Sequence, residues 1–323
     1  MSVLRTHRSV GIIPSRAGAA VAALKARAAA WEVPLIENPE RLSLFVWGCE
    51  LRLTPEDDTV RIDLMAPEAR LIGTLQDSAT ELFEAEGLSV KWDRVNEGAL
   101  APGLSLMQVV SVTPRTPGFV RVRLQGPEAA RFGETSLHFR LLLPQPGRAP
   151  VWPRIAANGR TTWPEGPDAL HRPVYTVIGQ QDDWLDFDIF RHKGSPTCDW
   201  ADNDPIGQQV GIIGPGGGWC PDAETLWLFG DETALPAIIR MLDLAKYEVR
   251  ACIRASTADL AGLLDDPRVR QCDDLLAAQA AVLPGKGVYV WFAAQAEEAR
   301  AARRSLTERG FDRRDFTAVA YWS

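Results

Sequence analysis

A short apolar segment that carries two hydroxyl groups is the first candidate for chemistry. The sequence VYTVIG, residues 174–179, is rich in β-branched and aromatic residues and therefore favours a strand. Strand alternation puts Tyr175 and Val177 on one face and Thr176 and Ile178 on the other. The segment would thus hold a polar-tipped ring and a hydroxyl as neighbours on one rigid element, pointing opposite ways.

A helix start follows this strand after one hairpin. The acidic pair Asp182 and Asp183 predicts the turn, and WLDFDIF returns as the partner strand. In GSPTCDWA, Ser195 is a good N-cap and Pro196 fits the first helical position, where its missing N–H costs nothing. Free backbone N–H groups and the positive end of a helix dipole suit a phosphate, so this helix start is the candidate for binding one.

Both segments resemble motifs of the siderophore-interacting proteins, which are FAD-containing ferric-siderophore reductases related to the ferredoxin–NADP reductases. In that family an Arg-x-Tyr-Thr/Ser strand holds the flavin, and a His…Gly-Pro-Ala-x-x-Trp-Ala segment holds the pyrophosphate. The resemblance implies that the catalytic hydroxyl, at the flavin ring edge, is that of Thr176. It implies FAD binding by Arg172, Tyr175, Thr176, Val177, His192, Gly194, Ser195, Pro196, Thr197, Trp200 and Ala201.

The flavin strand departs from the family pattern at two positions. Arg172 lies three residues before Tyr175, whereas the motif has its arginine two before, so a regular strand would project it from the opposite face. A bulge at Pro173, which cannot donate to a sheet ladder, is expected to restore the family arrangement. The family also has an arginine three residues after the tyrosine, where this chain has Ile178.

A second motif resembles the same family in the last third of the chain. The sequence GDETALPAI, residues 230–238, is identical to the family's most distinctive motif, and the chain also ends in the family's Tyr-Trp pair. Ligands of parallel sheets bind beyond the carboxyl ends of the strands, where this motif lies. The resemblance implies NADPH or NADH as co-substrate and a dinucleotide-binding contribution from Asp231, Glu232, Thr233 and Ala234.

The composition excludes several classes of protein. The 323 residues carry a net charge of −7, so non-specific attraction to nucleic acid is not expected. No apolar run approaches the roughly 18–20 residues of a membrane span and the N-terminus is too polar for a signal peptide, which predicts a cytoplasmic protein without a membrane partner. The five cysteines are scattered without C-x-x-C spacing, so reduced thiols and no metal site are predicted.

Three domains are predicted, which makes the fold class α+β and multi-domain. They are an N-terminal α+β domain over residues 1–98, an antiparallel flavin-binding β-barrel over 104–220 and a parallel α/β nucleotide-binding-like domain over 221–323. The N-terminal part resembles a small domain of unknown function that sometimes precedes the reductase module. There, Ser15 is expected to cap an alanine-rich helix that ends near Trp31, and RLSLFVWGCELRLTP is expected to form one strand.

Two further segments carry predictions that geometry can decide. Arg121 and Arg123 share one face of a barrel strand, and a solvated surface is favoured there over a cleft for an anionic substrate. In the last domain the strands alternate with helices, one of which is predicted at Thr257–Leu264.

The function implied by the resemblance is an FAD-dependent reductase that releases iron from a ferric siderophore with NAD(P)H as donor. A monomer is expected. Two alternatives stay open from the sequence: a flavoprotein that takes electrons from ferredoxin, and a siderophore- or iron-binding module without catalysis. No Ser/His/Asp arrangement with a nucleophile elbow supports hydrolysis.

Overall fold

The computed structural model describes residues 4–133 and 136–323 and places them in two compact units. The first unit comprises the chain up to Leu104 together with Gly147–Leu170, and the second comprises Ser105–Pro146 together with His171–Ser323. The second unit contains a closed antiparallel barrel and a five-stranded parallel sheet. The predicted α+β multi-domain fold class is therefore confirmed, while the boundaries of the three predicted domains stay a prediction.

The first unit packs two helices on a six-stranded sheet of order β2-β3-β4-β5-β1-β6. Its sheet is antiparallel, and in β5 the residues Val60, Ile62 and Leu64 alternate into the core. Its first elements are β1 (His7–Ile13), α1 (Ala17–Ala30), β2 (Leu35–Asn38), β3 (Arg41–Val46), β4 (Cys49–Glu56), β5 (Thr59–Ala66), α2 (Ala69–Glu84) and β6 (Lys91–Trp92).

Two predictions for this unit are wrong. The expected single strand is the hairpin of β3 and β4, because Trp47 and Gly48 both adopt positive φ angles, of 51° and 75°, which is the geometry of a tight hairpin turn. Ser15 does not cap α1, whose N-cap residue is Arg16. The helix start is satisfied instead by Asp58, whose carboxylate accepts from the Arg16 N–H and whose carbonyl accepts from the Ala17 N–H.

The chain then forms the barrel, with one return to the first unit. The barrel order is β12-β13-β8-β7-β14-β9 and its interior is filled by apolar side chains, while β10 and β11 pair with each other in the first unit. These elements are β7 (Leu104–Thr116), β8 (Phe119–Gln125), β9 (Ser136–Leu142), β10 (Arg154–Ile155), β11 (Thr161–Thr162), β12 (Val174–Gln181), β13 (Trp184–Phe190), α3 (Pro196–Asp202) and β14 (Gln209–Trp219).

Arginines on β8 form an ion-pair ladder with aspartates on β13. Arg121 lies opposite Asp188 and Arg123 opposite Asp186, and each pair is joined by two hydrogen bonds of 2.8–3.0 Å. Arg115 also donates to Asp188, at 2.6 Å. Both aspartates are buried, whereas the side chains of Arg121 and Arg123 are 32% and 39% exposed. The predicted solvated surface is therefore a partly exposed row of ion pairs, and it is not an open anion cleft. The arginines neutralise carboxylates that burial would otherwise penalise.

The parallel sheet has the order β17-β16-β15-β18-β19. The predicted helix at Thr257–Leu264 is a series of turns instead. Gly262 has φ +81° there, and the Asp259 carboxylate is bonded to Ser256 and to Thr116 and Gly118 of the barrel. The elements are β15 (Thr225–Asp231), α4 (Leu235–Leu244), β16 (Glu248–Arg254), β17 (Val269–Gln271), α5 (Leu275–Ala280), β18 (Val288–Gln295), α6 (Ala296–Glu308) and β19 (Phe316–Trp322).

Across the described residues, no helix combines the length and the apolarity needed to cross a membrane.

Gly230 lies where β15 approaches α4, and the packing there leaves no room for a side chain. A Cβ there would lie 2.6 Å from the Ala234 Cβ and 3.1 Å from the Ala293 carbonyl oxygen. We expect Gly230→Ala to lower the free energy of unfolding by about 1–3 kcal/mol, because an added methyl overpacks this contact. Chemical denaturation monitored by circular dichroism measures the change.

The matched control is Gly216→Ala in the same unit, since a Cβ at Gly216 meets nothing within 4 Å. Equal losses of stability in the two variants would contradict the overpacking explanation.

Candidate functional site

A cavity of about 810 Å³ lies in the second unit between the barrel and the parallel sheet. The barrel side includes His138, Tyr175, Thr176, Asp188, Phe190 and Trp219, and the sheet side includes Tyr289, Trp291, Thr317, Val319, Tyr321 and Trp322. Aromatic rings therefore form much of both walls. A slot with two flat aromatic walls can accept a planar ring system.

The barrel wall is built by the pairing of β12 with β9. Thr176 lies opposite His138 and Tyr175 lies opposite Phe139. Thr176 is 6% exposed, and its hydroxyl lies 3.1 Å from His138 Nδ1. The pairing thus brings a hydroxyl and an imidazole together on the cavity wall.

The sheet wall is one face of the neighbouring strands β18 and β19. Alternation turns Tyr289 and Trp291 of β18 and Thr317, Val319 and Tyr321 of β19 toward the cavity. The hydroxyls of Tyr289 and Thr317 are 2.7 Å apart and satisfy each other. The Tyr321 hydroxyl reaches the barrel, where it lies 3.1 Å from His138 Nε2.

Burial shifts the pKa values of three ionisable groups in the two walls in the direction that favours their neutral forms. Burial, with a smaller contribution from the charge of Arg240, lowers the pKa of His138 to about 4. Burial raises the pKa of Tyr175 to about 12 and raises the pKa of Tyr321 still further above its ordinary value. At neutral pH all three side chains are uncharged, so they act through hydrogen bonds and packing.

Helix α3 begins at the edge of the cavity. Ser195 accepts from the Cys198 N–H and Pro196 occupies the first turn, as predicted. Thr197, in the same turn, lies 3.0 Å from His171 Nε2. Both Ser195 and Thr197 are buried, so this helix start is fixed against the barrel while its N-terminal end borders the slot.

The carboxyl end of β15 is organised by Asp231. Its carboxylate is fully buried and accepts from the backbone N–H and the hydroxyl of Thr233, at 3.0 and 2.6 Å. It also accepts from the Trp322 indole N–H at 2.7 Å, and the Arg254 guanidinium lies 3.9 Å away. Asp231 therefore joins the motif turn to the end of β19 and holds Thr233 and Trp322 at the cavity rim.

The structure brings about half of the predicted site residues to the cavity. Those that line it are Tyr175, Thr176, His192, Gly194, Ser195, Pro196, Thr197 and Thr233. Val177 and Ala201 are buried in the barrel core, Trp200 packs against that core, and Asp231 and Ala234 are buried beneath the rim. Glu232 is half-buried, and burial raises the pKa of its carboxyl.

Arg172 is exposed and does not line the cavity. The expected bulge at Pro173 is wrong, because the irregularity of β12 lies between Val177 and Gly179, on the far side of Tyr175. The carbonyl of Arg172 accepts from Arg140, at 2.8 Å. The strand therefore enters the barrel without the correction that would turn the Arg172 side chain to the other face.

No role in the cavity walls was predicted for three residues, although one of them, Tyr321, belongs to the Tyr-Trp pair that resembles the family's. His138 lies in a strand with no unusual feature, and only the pairing of β9 with β12 brings it to Thr176. Tyr321 and Trp291 could be identified as wall residues only from the orientation of β18 and β19 relative to the barrel. The run of glycines at residues 216–218, near the end of β14, could have indicated a side chain packed closely there, because a Cβ at Gly218 would lie 2.8 Å from the His138 ring.

The lowered pKa of His138 makes stability depend on pH. Its folded-state pKa is about 4 against an ordinary 6.5, so between these values the unfolded chain binds a proton that the folded chain does not. The contribution of neutral His138 to the free energy of unfolding is constant above pH 6.5. It is lost as the pH falls toward 4, by up to about 3 kcal/mol. We expect the difference in free energy of unfolding between the wild type and His138→Gln to shrink by this amount on acidification. A difference that is the same at pH 7.5 and pH 4.5 would contradict this account.

The chain is similar to known proteins over the barrel and the parallel sheet. The family model described as the siderophore-interacting FAD-binding domain matches residues 108–219, and the one described as siderophore-interacting protein matches residues 223–323. A crystal structure of a siderophore utilization protein from T. fusca superposes with a TM-score of 0.59 at 29% identity, covering 71% of this chain and 95% of that one.

Two curated relatives are also similar. The ferric vibriobactin reductase of Vibrio cholerae is 30% identical over 176 residues, which are 47% of this chain and 62% of the relative, so the chain spans less than two thirds of that protein. The ferric acinetobactin reductase of Acinetobacter baumannii is 24% identical over 242 residues, or 67% of this chain and 77% of the relative. Since the two family models together take in most of the chain, including both walls of the cavity, this protein belongs to the siderophore-interacting protein family and its barrel is an FAD-binding domain.

Proposed function

We propose that this protein is an FAD-dependent ferric-siderophore reductase that releases iron by reducing Fe(III) to Fe(II), with NAD(P)H as the electron donor. The observation that carries the proposal is the open slot between barrel and sheet, which has Thr176 in one wall and the start of α3 at its edge. We further propose that the protein acts in the cytoplasm as a monomer. The three-domain division at residues 1–98, 104–220 and 221–323 belongs to the same proposal.

The residues around the slot fit an FAD molecule. Aromatic side chains on both walls suit a planar ring, and Tyr175 and Thr176 lie together on the barrel side. The N-terminal end of α3, with His192 and Gly194 before it, borders the same cavity, and helix starts favour phosphate. Gly194 has φ +78°, and a Cβ added there would meet nothing within 4 Å, so the backbone leaves room for a ligand.

The chain's own residues would bind, orient and shield this cofactor. When bound, FAD would supply the transfer of electrons from a two-electron donor to ferric iron, one at a time. Thr176 would hydrogen-bond the ring edge, Tyr175 would pack beside it, and Ser195 would hold the helix start that faces the pyrophosphate. The aromatic side chains of the walls would exclude water from the ring. No side-chain nucleophile is required for this chemistry.

A ferric siderophore as substrate is supported by the relatives, which are named as reductases of ferric vibriobactin and ferric acinetobactin. Hard oxygen ligands bind Fe(II) less well than Fe(III), so reduction loosens the chelate. NAD(P)H as donor is supported by the carboxyl end of the parallel sheet, where ligands of such sheets bind and where Thr233 reaches the cavity.

The first test is an absorbance spectrum of the purified protein before and after anaerobic addition of NADPH or NADH. We expect flavin bands that bleach with at least one of the two nucleotides. A protein that is colourless and cannot be reconstituted with FAD would refute the flavoprotein proposal. Flavin that bleaches with reduced ferredoxin but with neither nucleotide would refute NAD(P)H as the donor. Tight binding of a ferric siderophore by a protein that never binds flavin would identify a non-catalytic binding module.

The second test is Thr176→Ala. We expect the variant to fold and bind FAD but to reduce its flavin about tenfold more slowly, which is the effect of losing one hydrogen bond of about 1–1.5 kcal/mol in the reacting complex. Stopped-flow absorbance measures the rate. Thr176→Ser, which keeps the hydroxyl, should retain most of the rate.

The matched control for this test is Thr317→Ala, which removes a hydroxyl of the opposite wall that is bonded to Tyr289. If Thr176→Ala reduces its flavin at the wild-type rate, Thr176 does not act on the flavin.

A further inference from the structure

A chain of two hydrogen bonds crosses the cavity wall from the parallel sheet to the barrel. The Tyr321 hydroxyl lies 3.1 Å from His138 Nε2, and His138 Nδ1 lies 3.1 Å from the Thr176 hydroxyl oxygen. The three residues come from β19, β9 and β12, so the chain joins two sheets of different kind. All three also line the cavity.

The imidazole in the middle makes this chain directional. A neutral histidine has one nitrogen that donates and one that accepts, so the two hydrogen bonds must run in the same direction. In the first arrangement, Tyr321 donates to Nε2 and Nδ1–H donates to Thr176, which leaves the threonine proton to point elsewhere. In the second, Thr176 donates to Nδ1 and Nε2–H donates to Tyr321.

The first arrangement matches stronger donors to stronger acceptors. A phenol is far more acidic than an aliphatic alcohol and therefore the better donor, and an imidazole nitrogen is a better acceptor than a phenol oxygen. Among the described residues, His138 Nε2 is the hydrogen-bond partner found for the Tyr321 hydroxyl. The second arrangement would make the phenol oxygen an acceptor and give the role of donor to the weaker acid.

Packing prevents the imidazole from turning away from its two partners. Gly218 has φ +67°, and a Cβ there would lie 2.8 Å from His138 Cδ2, so the backbone of β14 lies close beside the ring. The Tyr321 ring meets the imidazole edge-on, with centroids 5.9 Å apart. The pKa of His138, lowered to about 4 mainly by burial, keeps the ring neutral at physiological pH.

We propose that Tyr321 and His138 are positioning residues: Tyr321 holds His138 in the Nδ1–H tautomer, and His138 thereby directs the hydroxyl proton of Thr176 into the cavity. Thr176 then faces its ligand as a hydrogen-bond donor. The tautomer is a property of the protein alone. Its consequence for a flavin rests on the proposed function.

The tautomer can be measured directly by long-range ¹H–¹⁵N correlation NMR of the ¹⁵N-labelled full chain at pH 7.5, with and without added FAD. The chain has four histidines, and the His138 signals are identified by their loss in His138→Gln. We expect the Nδ1–H form in the wild type. The Nε2–H form, or a protonated ring, would overturn the proposal.

The variant Tyr321→Phe removes the donor that sets the tautomer and keeps the ring. We expect its His138 to lose the pure Nδ1–H signature and to show the Nε2–H form in part or in full. The control is Tyr289→Phe, which removes a phenol of the same wall that bonds to Thr317. His171, which bonds to Thr197, is an internal control that should not change in either variant. A pure Nδ1–H signature that persists in Tyr321→Phe would overturn the role of Tyr321.

The reduction potential of the bound flavin is the second readout. A donor that faces an electron-accepting ring stabilises the charge that the ring gains, so Tyr321→Phe should lower the potential. Tyr247→Phe, which removes an exposed phenol outside the cavity, should leave the potential unchanged. A shifted tautomer with an unchanged potential would overturn the effect on the cofactor. A wild-type protein that binds no flavin would refute the proposed function, and the NMR result would still decide the tautomer.

Discussion

The site depends on charge-assisted contacts that fasten the barrel to the elements around the parallel sheet. One fastening is Arg240 of α4, which is buried and donates to the carbonyls of Val177 and Phe132 in the barrel, at 2.7 and 3.3 Å. The other is Asp259, whose carboxylate accepts from Thr116 and from the Gly118 N–H in the β7–β8 turn. Charge-assisted bonds of this kind are directional, so they fix an orientation that apolar packing alone would leave adjustable.

The cavity between the barrel and the parallel sheet has walls of unequal chemistry. The sheet side offers rings and satisfied hydroxyls, whereas the barrel side offers Thr176 beside His138. Burial holds His138, Tyr175 and Tyr321 in their neutral forms, which keeps this part of the walls uncharged at neutral pH. Charge is paired where it occurs, as in the ion-pair ladder of β8 and β13, whose Asp188 lines the cavity, and in Asp231 beneath the rim.

The residues of the two family motifs behave differently in the folded chain. The helix start at Ser195 formed as its residue types predict, because a cap and a following proline act locally. In the motif of residues 230–238, by contrast, Asp231 points inward and secures its own turn and Trp322, so much of that motif maintains structure at the rim. Arg172 shows the limit of spacing arguments, since its outcome depended on where β12 is irregular, and that irregularity lies in its pairing with β13, beyond Tyr175.

The sequence by itself determined the class of fold and many of the elements, because alternation, capping and glycine or proline positions act within a few residues. It did not determine the β3–β4 hairpin or the turns at residues 257–264. It also indicated, through motif resemblance, that Thr176 and the α3 start belong to one site. Only the tertiary structure decided which residues complete that site. His138 and Tyr321 are 183 positions apart and meet because barrel closure and sheet docking bring β9 and β19 together, and no local pattern encodes a contact of that range.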